Sequence, residues 1–472
     1  MQSGDKAQYA YANQAALDYY QHALEAAQRV TPPVAPAQVF TIYQSRSQVF
    51  MVLARYLDAV EESKKMLELA RAVGDRANEG QALVDISRSY FFSFRSEFAD
   101  EARRCAEDAR VIAEEIGDGR LLAASLGSLG SMDQAEGDLE EGDRKFHEAV
   151  RISEEKGFPA VGLQSRMFLG AHANWRAEFR RAIAVSREAE KTSVEVHDGV
   201  TELMAMAFRC LSEIALGDYA EGLATINAGL LKAKERNNSF IQGRLTNSLG
   251  WLRQELGDFG SAIELDRESV DIGKRIKNPN VEISALINLG YDHMNLGDVG
   301  SALPLLEETT VRVEKFAFGA HRWRWSIHLR IYLAEALLAV GRREEAVIPL
   351  EQALVQARST GCMKYVGKAH ALRAQTAAAA RRWGEAEPDA VEAVRIAREI
   401  AYPTLIWQAA HLLADIQVQL GKGDEASAAA RLAAETIEGV AARAPDSALR
   451  RSFMNWPRVQ AALETAERLR RG

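Results

Sequence analysis

The chain has 472 residues, of which 47% are apolar, 26% charged and 7% aromatic, so it is long enough for several cores or for one repeat array that grows in a single dimension. Its net charge of −8 comes from interspersed acidic and basic residues, which argues against a non-specific nucleic-acid binder and a polybasic membrane-surface signal, while a basic patch on one face stays open. Cys105, Cys210 and Cys362 lie far apart with no CxxC pair, which argues against a disulfide framework or a cysteine zinc site; with no apolar signal region or membrane-length apolar run, a cytoplasmic compartment is expected.

Residues 1–29 read as a partial N-terminal repeat, because Tyr11 to Leu24 has the pattern of a second helix with little room for a partner before it. An apolar face would then be left uncovered, which suggests a fragment of a longer protein or a docking face, including one for a second copy. Residues 30–37 hold Pro32, Pro33 and Pro36 and are expected to be a linker.

Residues 38–440 carry an internal repeat. Gly217, Gly257 and Gly297, each followed by Asp, are 40 residues apart, and Ala177 fills the same slot one unit earlier. The Gly can close one helix in the left-handed conformation, and the Asp can cap the next. Five residues beyond the slot stands a small residue in every unit, from Ala16 and Ala59 through Gly142 and Gly222 to Ala426. Twelve residues before it stands another, such as Ser47, Gly130, Gly170, Cys210, Gly250, Gly290 or Ala334, with Tyr90 as the exception. Two small positions per unit suit two helices that cross closely. Pro159, Pro279 and Pro403 fall at first-helix starts, whereas Pro304, Pro349 and Pro388 fall in the second turn of second helices, which would start late or kink. Residues 446–470 are expected to form a capping helix, kinked near Pro457.

On these positions the chain resembles the tetratricopeptide repeat (TPR) superfamily. The resemblance implies an all-α, right-handed α-solenoid of about eleven helix pairs, with a period near 40 residues in place of the usual 34. The segments Tyr11 to Leu24 and Ser447 to Phe453 also resemble the TPR sensor region of bacterial STAND-type signalling ATPases, some fused to adenylate cyclase or helix-turn-helix domains. That resemblance implies a possible upstream ATPase or cyclase partner. No phosphate-binding GxxxxGK[ST] loop occurs; Gly361 to Ala369 has the wrong spacing and ends in Ala.

No GxSxG, HExxH, EF-hand or dinucleotide motif appears, and the nine histidines are scattered, so neither an enzyme, nor a metal, nor a cofactor is expected. What remains is the inner face of the first helices, three and six residues before and one and four after the small position. This gives Arg244, Asn247, Trp251 and Gln254, then Ser284, Ile287, Tyr291 and Met294, with Phe91 and Phe94 earlier and His328 and Glu335 later. The lining reads as partly apolar and poor in charge, suited to an extended peptide or amphipathic helix; alternatively Phe91, Phe94, Leu211 and Ile214 simply pack between units. A secondary patch, His321, Arg322, Trp323, Arg324 and Trp325, could capture a partner, or its tryptophans could pack while its arginines stay solvated. The expected function is a protein- or peptide-binding scaffold or sensor regulating a bacterial signalling assembly. A small-molecule sensor is the alternative, to be favoured by a deep closed pocket over an open groove; an enzyme or a nucleic-acid binder ranks below both.

Overall fold

The computed structural model describes residues 2–9, 12–31, 33–316 and 322–471, among which the regular structure is helical. Twenty-two helices form eleven consecutive antiparallel pairs. They are α1 (Gln2–Tyr9) with α2 (Asn13–Ala27), α3 (Pro36–Val52) with α4 (Tyr56–Val73), α5 (Arg76–Ser93) with α6 (Ala99–Ile116), and α7 (Gly119–Glu136) with α8 (Leu139–Glu155). Then come α9 (Pro159–Trp175) with α10 (Phe179–Glu195), α11 (Gly199–Leu216) with α12 (Tyr219–Glu235), and α13 (Ser239–Glu255) with α14 (Phe259–Arg275). The last four are α15 (Pro279–Asn295) with α16 (Val299–Glu314), α17 (Arg322–Ala339) with α18 (Arg343–Ser359), α19 (Met363–Ala379) with α20 (Trp383–Glu399), and α21 (Pro403–Gln419) with α22 (Gly423–Ala442). Two short helices close the chain, α23 (Ser447–Met454) and α24 (Pro457–Arg471).

The punctuation follows the sequence. Gly217, Gly257 and Gly297 have φ of 78°, 71° and 81°, and Ala177 takes the same conformation at 66°. The Asp298 carboxylate accepts from the Ser301 N–H at 3.1 Å, the N-cap its position suggested. Pro159, Pro279 and Pro403 open α9, α15 and α21. Pro304, Pro349 and Pro388, however, sit inside α16, α18 and α20, which do not start late; each forgoes one backbone hydrogen bond.

The small positions are where paired helices touch. Ala262, Ala302 and Ala386 have no exposed surface. A Cβ added at Gly130 would lie 2.8 Å from the Phe146 ring, and one at Gly290 2.6 Å from Leu306. Tyr90, the exception, needs room, and there α6 is set back by the short turn Ser96–Phe98, whose Phe98 ring stacks on Tyr90 at 4.5 Å.

Three boundaries differ from expectation. The N-terminal segment is not a lone helix: α1 supplies a short partner, with Gly4 against the Tyr20 ring and the Tyr20 hydroxyl donating to Asp5 at 2.8 Å. The expected linker is shorter, because Pro36 serves as the first residue of α3. The C-terminal cap is two helices, since Pro457 starts a new one after Trp456.

The superhelix coils tightly enough for successive turns to meet. The Asn13 amide donates to the Arg236 carbonyl at 3.1 Å, joining α2 to the end of α12. The Trp323 indole donates to the Gln134 carbonyl at 2.9 Å, joining α17 to α7. Both contacts span ten helices, or five pairs. Farther on, the Tyr402 hydroxyl donates to Glu255 at 2.7 Å, and Trp456 packs on Phe259. Gly257 admits this last approach, because a Cβ there would lie 3.1 Å from the Ser452 carbonyl.

One polar cluster is buried within this packing. Asp266 and Asp292 are fully enclosed; Asn247 donates to the first at 2.8 Å and Gln254 to the second at 2.7 Å. Burial and the neighbouring carboxyl push Asp266 well above the usual range, and burial pushes Asp292 to about 7, so both carboxyls hold their protons far more tightly than exposed ones.

Two predictions follow from this packing. Gly290→Val lowers stability by about 1–3 kcal/mol, whereas Gly439→Ala, with open space around it, raises it by about 0.4–1 kcal/mol; thermal melts check both. The Asp292 proton is bound in the folded state and released on unfolding from about pH 4 upward. Its stabilisation is therefore complete below that pH and lost as pH rises through about 7. Melting curves of Asp292→Asn should fall less between pH 5 and 8 than those of the parent chain.

Candidate ligand-binding cavity

The first helices of the pairs form the inner layer, and stacking of superhelical turns closes that layer over itself. The result is a cavity of about 120 Å³, bounded chiefly by residues of α9, α11, α13, α15, α17 and α19. Aromatic walls come from Trp175, Trp251, Trp323, Tyr332 and Tyr365. Asn174, Asn247, Ser248, Asn280 and Ser284 give it a polar floor.

Four cations converge on this space. Arg244 comes from α13, Arg324 from α17, and Lys364 and Lys368, one helical turn apart, from α19. Each keeps part of its surface toward the cavity while protein surrounds the rest. None of the four makes an ion pair among the described residues. Arg244 donates to the Asn280 side-chain oxygen at 3.0 Å and lies over the Phe208 ring. Arg324 lies over Trp175; Lys364 sits 4.9 Å from the centre of the Trp251 ring, and Lys368 5.3 Å from that of Tyr332. Ring faces attract cations but do not cancel their charge.

Burial, reinforced by mutual repulsion, destabilises these charges. Arg244 is pushed down to about 9 by burial and by Arg324, and Lys364 to about 7 by burial and by Lys368. Arg324, Lys368 and His328 move down as well, chiefly through burial. One carboxylate, Glu255, lies close enough to support both lysines. It is held by the Trp251 indole at 2.9 Å, the Tyr402 hydroxyl and the Thr404 hydroxyl. Glu335, whose field also reaches Lys368, is ion-paired with Arg458 at 2.9 Å. The cavity is thus short of negative charge.

The expected inner-face residues divide into three groups. Arg244, Asn247 and Trp251 line the cavity, as do Ser284, Ile287, His328 and Leu211. Gln254, Tyr291 and Met294 lie beneath it: Gln254 serves Asp292, Tyr291 stacks on Tyr332 at 4.4 Å, and Met294 is buried. Phe91 and Phe94 are elsewhere, in an aromatic cluster with Phe92, Phe168 and Phe240. The secondary patch is not a separate surface. Trp323, Arg324 and Trp325 belong to the cavity wall, Arg322 turns back to the Phe316 carbonyl, and His321 lies outside the described residues. Arg324 is enclosed rather than solvated.

Two expectations are corrected by this geometry. The inner face is not an open groove, because the next superhelical turn covers it. Nor is it poor in charge. The inner stripe runs one turn beyond the sixth residue before the small position, to the tenth, where Asn280, Arg324 and Lys364 stand ahead of Gly290, Ala334 and Ala374. Lys368 stands at the sixth and was legible from the same spacing.

The three thiols are raised by burial, to about 11 for Cys105 and Cys362 and about 12 for Cys210, so none is a ready nucleophile. Among the described residues no His, Cys, Asp and Glu group has metal-binding geometry, and no helix is long and apolar enough to cross a membrane.

No protein-family model and no curated protein matches the sequence. Solved structures do share its fold. A Rap protein complexed with competence and sporulation factor is similar over 78% of this chain and 99% of its own, with 11% identity and a TM-score of 0.59. The Rap conjugation gene regulator of plasmid pLS20, in complex with the Phr* peptide, covers 83% and 96% at 13% identity and a TM-score of 0.43. A STAND-class ATPase with a tetratricopeptide repeat sensor, from Pyrococcus horikoshii, covers 74% and 55% at 14% identity and a TM-score of 0.40. The chain is therefore an all-α solenoid of TPR-like helical repeats.

Proposed function

We propose that the chain is the ligand-sensing module of a regulatory protein, and that it captures a ligand no larger than a short peptide inside its superhelix. The observation that carries this reading is the enclosed cavity, walled by aromatic rings and holding polar groups left without protein partners. A ligand held there contacts at least four repeats at once, so binding favours whichever superhelical pitch fits it. Trp251 both faces the cavity and donates to Glu255, which is bonded across turns to Tyr402 and Thr404. Ligand contact is thereby linked to the closure of the coil. The fold-sharing Rap protein was solved with competence and sporulation factor, which is compatible with a peptide-sized ligand. An upstream ATPase or cyclase as the regulated partner, and the bacterial signalling role, belong to the same proposal; they rest on the TPR-sensor resemblance.

Ser284 borders the cavity, and Ser284→Trp fills it without adding a charge. In a thermal-shift screen of short peptides and small molecules, ligands of the parent chain should lose their effect on this variant while its helicity is kept. A ligand that stabilises both proteins equally would place binding elsewhere, and a screen without ligands would return weight to the outer surface as a protein-docking scaffold.

A further inference from the structure

We infer that the cavity is built for an anionic ligand, whose carboxylate or phosphate group seats among Arg244, Arg324, Lys364 and Lys368 while its body lies against Trp251 and the neighbouring rings. The inference rests on the sensor reading and names the chemistry of its ligand. Two independent observations support it.

The first is charge. Four cationic side chains from three helices enclose one space with two carboxylates in reach, Glu255, already satisfied by three donors, and Glu335, ion-paired with Arg458. Removing a charge from water costs several kcal/mol when it lacks a partner, and such groups are retained where something else supplies the opposite charge. Internal neutralisation is absent here although acidic residues outnumber basic ones in the chain, 66 to 58.

The second is hydrogen bonding. The Arg324 Nε–H, the Asn280 side-chain N–H2 and the Trp325 indole N–H are buried at the cavity wall without an acceptor. Asn280 is fixed with its oxygen toward Arg244, so its amino group is left as a donor. All three unmet groups are donors, and an anion is an acceptor on every side. A neutral apolar ligand would leave them unmet.

A linked proton effect follows. Lys364 faces Lys368 on its own helix, Arg324 and His328 from α17, Glu255 from α13, Cys362 in the preceding turn and Tyr402 before α21. Standing near 7 when no anion is bound, it is partly neutral at pH 7.5. A bound anion raises its pKa, so binding takes up a proton, and affinity falls as pH rises above 7.

The test titrates the whole chain at low salt with inorganic pyrophosphate, with citrate and with a hexaglutamate peptide, following tryptophan fluorescence and calorimetric heat. At least one anion should saturate at sub-millimolar concentration and weaken at least tenfold in Arg324→Met and in Lys364→Met. Heats in buffers of different ionisation enthalpy should show proton uptake at pH 7.5, lost in Lys364→Met. Both variants remove an unpaired buried charge, so their melting temperatures should equal or exceed the parent's, which separates lost binding from misfolding. Pyrophosphate alone would identify a phosphate ligand; citrate or hexaglutamate would identify a carboxylate one. Absence of anion binding up to 10-fold above about 1 mM, a concentration that already corresponds to only about 4 kcal/mol, would overturn the inference, as would equal binding by the variants. If neutral compounds bind and are blocked by Ser284→Trp while these anions do not, the anionic assignment falls and the sensor reading stands.

Discussion

Each helix pair except α5–α6, where Tyr90 stands, is held at contact distance by two side chains no larger than a small hydroxyl, thiol or methyl group, and the superhelix depends on that spacing. Where Gly130 faces Phe146 or Gly290 faces Leu306, a single added carbon would collide with the partner helix. Close crossings bring the inner helices of neighbouring units together, so each unit turns sharply on the last. About five units then complete a turn, and residues ten helices apart can meet. A bulkier residue at these positions throughout would give a wider coil with an open groove.

Closure of the coil has a chemical consequence. The inner face of an isolated repeat is solvated, and a lysine or arginine there keeps its charge at little cost. Once Trp323 reaches α7 and Tyr402 reaches Glu255, the same side chains are enclosed, and the low-dielectric surroundings act on them together. Lys364 and Arg244 are depressed by burial in a way that no single repeat would produce. The cavity's electrostatics thus belong to the stacking of turns, not to any one unit.

That division explains what the sequence disclosed. The 40-residue period, the glycine turns, the Asp caps and the small crossing positions are local, and each has a local physical reason, so the fold class and the eleven pairs were legible. Arg244, Asn247 and Trp251 were legible as inner-face residues for the same reason. The role of Arg324 was not. In sequence it belongs to an Arg–Trp cluster after an irregular spacing, and the inner stripe has to be followed to the tenth position ahead of Ala334 before it falls on the same face as Arg244. Phe91 and Phe94 satisfied the inner-face spacing equally well, yet the aromatic cluster with Phe168 and Phe240 absorbs them. Spacing gives the direction of a side chain and leaves open what the next superhelical turn places opposite it.

The same closure makes the cavity a point of leverage. Glu255 is the acidic group that acts on both lysines, and it is also the acceptor that binds α13 to the segment leading into α21. Its charge is shared between stabilising Lys364 and Lys368 and receiving the Tyr402 and Thr404 hydroxyls. The proposed anion would act on the lysines and on Glu255 together, and so on the side chain that joins two turns of the coil.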